Sequence, residues 1–452
     1  MNINKITMFA YLLVFFGLNQ VAAFGQSEQY FKNLQDPEVK ERIKTGIEQN
    51  RMGWFTLKFT DEEGKPADVK NVEIKQIKHE FLFGTNLFML HGFESEKENR
   101  KYEDVFTSLF NYATLPFYWK TLEPEPDELR FTSESKEIYR RPPPDPLVRW
   151  CKEHDIVMKG HPLVWDNPNY QVPDWLPSDT DSIEYYINQH IKKLACRYGD
   201  DIRIWDVVNE AAGRHIKVPM PFDYPYKSFK MAEKCFDPDV VFISNNQSSN
   251  WNRYRGEFSP EYMLTETLLL KGAKVDVIGF NTHFFSEKIW QDIINGEHMT
   301  PEFQFDYLDT YSRLGADLHI TEITFPTLPN NQTGKEHQAQ ITRDFYRLWF
   351  SHPNVTAITW WNMVDNTAVA GEDKWNGGFL RRDFSAKKSY EVLDQLINKE
   401  WNTNRKMGNI QGKTKFKGFF GKYKIQGIYN DEEYEKEVYF GKKSSREIEI
   451  VL

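Results

Sequence analysis

Eight short apolar segments recur through the middle of this chain, and longer, more polar stretches with helical spacing lie between them. The apolar segments fall at residues 80–87, 111–117, 156–165, 202–210, 239–247, 275–284, 317–325 and 355–363. Residues 182–198, 260–271, 334–350 and 385–399 carry the amphipathic pattern of surface helices. Eight strand–helix units in this order predict an α/β fold, a TIM (β/α)8 barrel. The strands are apolar on nearly every residue, as a parallel sheet covered on both faces requires. A doubly wound open sheet is the alternative. It would normally carry a glycine-rich phosphate loop after its first strand, and this chain has none.

Two terminal pieces lie outside that repeat. Residues 1–23 read as a secretory leader, with Lys5 as the lone positive charge before an apolar run that closes on Val21-Ala22-Ala23. A membrane anchor is the other reading, although the run is short for a span. Residues 24–79 contain a helical stretch at 29–51. Strand-like runs follow at 54–60 and 72–78, which predict a hairpin joined by Asp61-Glu62-Glu63-Gly64-Lys65-Pro66. The barrel is assigned to residues 80–400. Residues 401–452 alternate aromatic or β-branched residues with charged ones, among them Phe416, Phe419, Tyr423, Ile425 and Ile428. Neither terminal piece is large enough for a core of its own. They are therefore expected to combine into one small accessory β-sandwich beside the barrel.

Composition removes several classes of function. The chain is acidic, with a net charge of −9, which disfavours nonspecific nucleic-acid binding. No apolar stretch beyond the leader reaches the length of a membrane span. Cys151, Cys196 and Cys235 lack CxxC spacing, so neither a zinc knuckle nor a redox pair is expected, and they read mainly as buried apolar residues. The aromatic share, 15%, suits either sugar stacking or a large core.

In a TIM barrel the chemistry sits at the C-terminal ends of the strands. Those ends carry His161 and Trp165, then Asn209-Glu210, Asn245-Asn246-Gln247, Asn281 with His283, Glu322, and Trp360-Trp361-Asn362 with Asp365 beyond. Glu210 and Glu322 end the fourth and seventh strands, nearly opposite each other around the barrel. Two carboxyl groups facing across a cleft are what glycosidic cleavage uses, one as acid and one as nucleophile or base. Buried salt bridges are the structural alternative for each glutamate. A cation held by His161, His283 and a carboxylate is a further possibility, but no strand offers His-x-His spacing. The expectation is no cofactor and no metal.

These residues resemble glycoside hydrolase family 10, the endo-1,4-β-xylanases. Trp205-Asp206-Val207-Val208-Asn209-Glu210 resembles the family's WDVVNE acid/base motif, and Ile320-Thr321-Glu322 its ITE nucleophile motif. Gly160-His161-Pro162-Leu163-Val164-Trp165 is similar to its GHTLVW segment, and Ile278-Gly279-Phe280-Asn281-Thr282-His283 to its GIGxQSH segment. Trp361 to Asp365 resembles WGVTD, and Glu123-Pro124-Glu125-Pro126 matches the EP stretch. The resemblance covers roughly residues 80–400. It implies a retaining enzyme with Glu210 as acid/base and Glu322 as nucleophile. His161, Trp165, Asn209, Asn281, His283 and Trp361 would bind substrate. In that scheme the charge on Glu322 raises the pKa of Glu210, His283 holds Glu322 ionised, Asn209 donates to the sugar 2-hydroxyl, and Trp361 floors the site.

The departures fall on one side. Where the family shows TENxMKW, this chain has Thr114-Leu115-Pro116-Phe117-Tyr118-Trp119, which replaces three polar sugar contacts by Leu, Pro and Tyr. Asp166 stands for a His, Thr324 for an Asp that would partner His283, and Asn281 for a Gln. Trp375 is the candidate for a Trp normally found beyond WGVTD. The expected function is therefore a secreted, periplasmic or cell-surface hydrolase that cleaves internal β-1,4 linkages of xylan or a decorated xylan. Its partner is a polysaccharide or oligosaccharide, with no nucleic acid and no membrane span in the mature protein. The alternatives are an exo-acting or different-specificity β-glycosidase and a carbohydrate-binding pseudoenzyme. The terminal β-module would either bind glycan through Phe419, Phe420 and Tyr423 or bury them.

Overall fold

A computed structural model describes residues 29–452 apart from Phe31 and Ile216. The leader read at residues 1–23 lies outside the described residues. A helix at Pro37–Arg51 opens with Pro37 at its first turn, where the missing N–H costs nothing, and Asp36 Oδ1 accepts from the backbone of Glu38 and Val39. It closes on Arg51, a buried guanidinium that donates to the carbonyls of Phe350, His352 and Val355. Burial lowers the Arg51 pKa to about 9. The helix is thereby tied to the barrel before the first strand begins.

Two long strands follow, β1 (Met52–Thr60) and β2 (Asp68–His79). The eight barrel strands are β3 (Leu82–Asn86), β4 (Tyr112–Pro116), β5 (Val157–His161), β6 (Ile204–Asn209), β7 (Val241–Asn246), β8 (Val277–His283), β9 (Asp317–Thr324) and β10 (Val355–Trp360). They close in chain order, with β10 pairing in parallel to both β9 and β3. Each lies inside one of the eight apolar segments read from the sequence. The closed parallel barrel is the predicted fold, and the open-sheet alternative is excluded. Barrel closure demands tight contacts between neighbours. At Gly160 in β5 an added Cβ would stand 2.2 Å from the fully buried ring of Trp205 in β6, so only glycine fits there.

The chain ends in β11 (Asn404–Gln411), β12 (Lys413–Phe419), β13 (Gly421–Tyr429), β14 (Glu432–Phe440) and β15 (Glu447–Val451). With β1 and β2 they build the expected two-sheet sandwich, but not through a hairpin. β1 sits in the middle of the sheet β12-β1-β15, and β2 in the interior of β11-β2-β13-β14. Between the two runs only an isolated bridge, Thr60 to Pro66, remains. The reason lies in the burial pattern. Phe55, Leu57 and Phe59 of β1 face Val72 and Ile74 of β2 across the core, so the strands pack face to face instead of side by side. Phe55 stacks on Phe440 at 4.3 Å and reaches Phe416 at 5.4 Å, which joins the termini through aromatic packing.

Two further expectations are settled by burial. Phe419, Phe420 and Tyr423 are buried, so they are core residues and not a glycan-binding face. Phe419 packs on the barrel side, 5.5 Å from His79. Of the cysteines only Cys151 is buried; Cys235 is partly buried and Cys196 is exposed, because it lies on the outer face of the helix Thr180–Tyr198. All three are free thiols. No helix among the described residues is long and apolar enough to cross a membrane.

Candidate active site

The C-terminal ends of the barrel strands converge on a cavity of about 210 Å³. His161, Trp165, Asn209, Glu210, His283, Glu322 and Trp361 line it. Asn281 stands behind this wall and donates from Nδ2 to Glu210 Oε1 at 3.1 Å. All eight residues singled out from the sequence are thus brought together.

The two glutamates sit in contrasting surroundings. Glu210 follows the last residue of β6 with φ 52, a left-handed backbone that turns the chain off the strand. Among the described residues its carboxyl accepts one hydrogen bond, from Asn281, and forms no ion pair. Burial first, and the charge of Glu322 second, push its pKa up to about 7. The expected effect of Glu322 is present, but burial outweighs it. Glu322, in β9, is buried and well supplied. His283 Nε2 lies 3.0 Å from its Oε2, Asn245 Nδ2 donates to its Oε1 at 3.1 Å, and His161 Nε2 stands 3.9 Å away. Burial alone would raise its pKa, but the His283 hydrogen bond and the charges of His161, His283 and Lys159 hold it below the ordinary glutamate range.

Both histidines are held from behind. His161 Nδ1 meets Asp206 Oδ2 at 2.6 Å, and Lys159 Nζ approaches the same oxygen at 2.9 Å, all deep in the barrel. Burial opposes the charge on Asp206, yet Lys159 and His161 keep its pKa low. His283 Nδ1 meets Thr324 Oγ1 at 2.9 Å. Thr324 was expected to leave His283 without its usual carboxylate partner. The hydroxyl instead occupies that position and accepts or donates, so His283 keeps a partner but not a second negative charge. Burial would lower the His283 pKa, and Glu322 raises it above the ordinary value.

Sequence reasoning passed over Asn245 as a site residue, although it lies in the Asn-Asn pair that ends β7. Its Nδ2 approaches Asn209 Oδ1 (2.7 Å), Asn281 Oδ1 (3.1 Å) and Glu322 Oε1 (3.1 Å), while Thr321 donates to its Oδ1 at 2.6 Å. With its oxygen engaged by Asn245, Asn209 has its amide N–H groups left to donate into the cavity.

The opposite wall is aromatic and cationic. Phe88, Tyr118, Arg140, Arg141 and Glu372 belong to the lining, and of these only Tyr118 was marked out by the sequence. Trp361, on the cavity lining, packs edge to face with Phe88 at 5.3 Å and with His161 at 5.7 Å. Of Phe117-Tyr118-Trp119, only Tyr118 reaches the cavity. Phe117 packs on Trp205, and Trp119 stacks on His190. Glu123 is structural, because it accepts from Trp119 Nε1 and Lys193 Nζ. Asp365 is bound to Lys387 at 2.6 Å. Asp166 accepts from the backbone N–H of His215 at 2.9 Å, and burial raises its pKa. Trp375 stands behind Phe285, 6.0 Å from it, and Phe285 in turn stacks on His283 at 5.0 Å.

The family model for glycosyl hydrolase family 10 matches residues 76–395. Endo-1,4-beta-xylanase B of Thermotoga neapolitana is 26% identical over 323 residues, covering 68% of this chain and 86% of that protein. Xylanase 10B from Thermotoga petrophila RKU-1, solved in complex with xylobiose, superposes with a TM-score of 0.57 at 23% identity, covering 71% of this chain and 95% of that one. Native xylanase 10B from Thermotoga maritima does so with a TM-score of 0.57 at 24% identity, covering 71% and 96%. At those identities the structural likeness speaks to the fold. Strands β11–β15 lie beyond the family match.

Proposed function

Because this chain belongs to glycosyl hydrolase family 10 and is a xylanase-like glycoside hydrolase, we propose that it cleaves internal β-1,4 linkages of xylan or a decorated xylan by double displacement. The observation that carries this reading is the contrast between the two carboxyl groups, Glu210 with a single amide donor and Glu322 with His283 and Asn245 on its oxygens. Glu210 is held protonated up to about pH 7, and Glu322 is held ionised. A protonated Glu210 can give its proton to the glycosidic oxygen while Glu322 attacks the anomeric carbon. The glycosyl ester so formed is hydrolysed by a water that Glu210, now a carboxylate, deprotonates. Asn209 supplies a donor for the sugar 2-hydroxyl, and Trp361 an apolar floor for the ring. His283 hydrogen-bonds Glu322 and His161 stands beside it, and together they hold it for attack. The apolar leader read at residues 1–23 supports work in the periplasm, at the cell surface or in the medium.

A second reading keeps the chemistry and shortens the substrate. The cavity, at about 210 Å³, is smaller than the roughly 300–1,000 Å³ of ordinary ligand clefts, and Phe88, Tyr118 and Arg141 wall one side of it. That supports exo action or short oligosaccharides. Proton NMR of the first products from a panel of xylans and xylo-oligosaccharides, with product sizing, tests both. A β-anomer released as a ladder of oligosaccharides is expected. An α-anomer overturns the nucleophile role, and release of single sugars from one chain end selects the second reading.

The pKa split sets a pH profile. With Glu210 as the acid, kcat/KM is expected to fall about tenfold per pH unit above about pH 7, as the needed proton is lost. The acid limb lies below the ordinary glutamate range, where Glu322 becomes protonated. In Glu210→Ala the alkaline limb disappears, and activity survives best on aryl glycosides whose leaving groups need no proton. Equal loss on good and poor leaving groups, with the limb retained, removes Glu210 from the acid role.

A further inference from the structure

We propose that Arg140 and Arg141 form a site for an anionic substituent on the glycan, a uronate carboxylate or a sulfate ester. The site lies on the cavity wall built by the loops after β3, β4 and β10. This rests on the glycosidase reading and names the substrate class within it.

Both arginines line the cavity that holds Glu210 and Glu322. Arg140 is only 3% exposed, yet it spends one hydrogen bond, from Nη1 to Thr367 O at 2.6 Å, and its buried Nε has no partner. The Arg141 guanidinium lies 3.7 Å over the Tyr118 ring and donates once, from Nη1 to Arg140 O at 2.8 Å. Each guanidinium carries five N–H donors, so most of this fork is unused. Among the described residues neither arginine forms an ion pair. The carboxylate on the same wall, Glu372, accepts from Asn362 Nδ2 at 3.1 Å instead.

Arg130, in the same loop, shows what a structural arginine does here. Its fork is spread over the carbonyls of Thr121, Lys136 and Arg141. Arg140 and Arg141 are not used in this way. Two neighbouring cations withdrawn from water are costly unless a counter-charge joins them. Guanidinium forks match a carboxylate or sulfate through paired N–H···O contacts. The position is also open to a branch. An outer groove of about 520 Å³ shares Phe88 and Arg140 with the catalytic cavity, so a substituent on a sugar lying over Trp361 has room to extend.

The test uses the full-length protein with three matched xylo-oligosaccharides: unsubstituted, bearing glucuronic acid, and sulfated. An anionic form is expected to exceed the neutral one in kcat/KM by at least about tenfold, and added salt to narrow the gap. Arg141→Met is expected to cut that ratio by about tenfold or more, with Arg141→Lys retaining part of it. Arg141 is the decisive variant because its one hydrogen bond stays within its own loop, to Arg140 O, whereas that of Arg140 ties the loop to Thr367. A preference for the sulfated form over the uronate would identify the substituent within the same chemistry. A ratio near one in the wild type, or one unchanged by Arg141→Met, overturns the proposal. Calorimetry on Glu322→Gln measures binding of the same three ligands without turnover. If the wild type hydrolyses no glycoside at all, the catalytic reading fails. The binding preference then still decides whether the arginines select an anion.

Discussion

Glu322→Ala should lose turnover by at least about 10⁴-fold on every substrate, because the first displacement then has no nucleophile. Azide should restore activity to this variant. It can occupy the space the carboxylate leaves and attack the anomeric carbon directly, which gives a glycosyl azide of inverted configuration. The structure makes this a demanding test. The groups that hold Glu322, namely His283 at 3.0 Å, Asn245 at 3.1 Å and His161 at 3.9 Å, remain in place and form a ready anion site. Activity at wild-type level in Glu322→Ala would remove the residue from the mechanism. So would an azide product of retained configuration.

Deletion of residues 405–452 should unfold the sandwich and lower the melting temperature of what remains by roughly 10 °C or more. The C-terminal strands are not an appendage. They supply both edges of β1 and both edges of β2, and those two strands do not pair with each other as a ladder. Their loss would also remove Phe416, Phe420, Tyr423, Ile425 and Phe440 from the core, leaving Phe55, Leu57 and Phe59 against water. The barrel itself would lose the cover of Phe419 near His79 and Phe350. Rapid proteolysis within residues 52–79 and new binding of an apolar dye are the expected signs. An unchanged melting curve would show that the two ends fold independently.

What the sequence disclosed, and what it withheld, follows from the range of the forces involved. The barrel strands were legible because burial on both faces forces continuous apolar runs, and their ends were legible because polar residues have no other reason to stand there. Glu210 and Glu322 could be picked out on that ground. The pairing of β1 was not legible. Period-two alternation says which face is buried but not whether the next strand lies beside it or across the core. Arg140 and Arg141 were missed for a similar reason. They lie in a loop before Pro142-Pro143-Pro144, and nothing local says that this loop folds back over the cavity. Cys196 misled because cysteine is usually buried, whereas the helix that carries it turns that position outward. Asn245 was visible at its strand end, but its place at the centre of a polar network depends on three other strands.

That asparagine has a further consequence. Its amide has two hydrogens and stands within reach of three acceptors, on Asn209, Asn281 and Glu322. Asn281 in turn donates to Glu210. Asn209 and the Glu322 carboxylate therefore compete for one undersupplied source, while Glu210 is served by a separate amide, that of Asn281. In the proposed covalent intermediate Glu322 would be an ester and a poorer acceptor, leaving the Asn245 amide to Asn209 and Asn281. On that reading the hold on Asn209 would be firmer in the covalent intermediate than in the free enzyme.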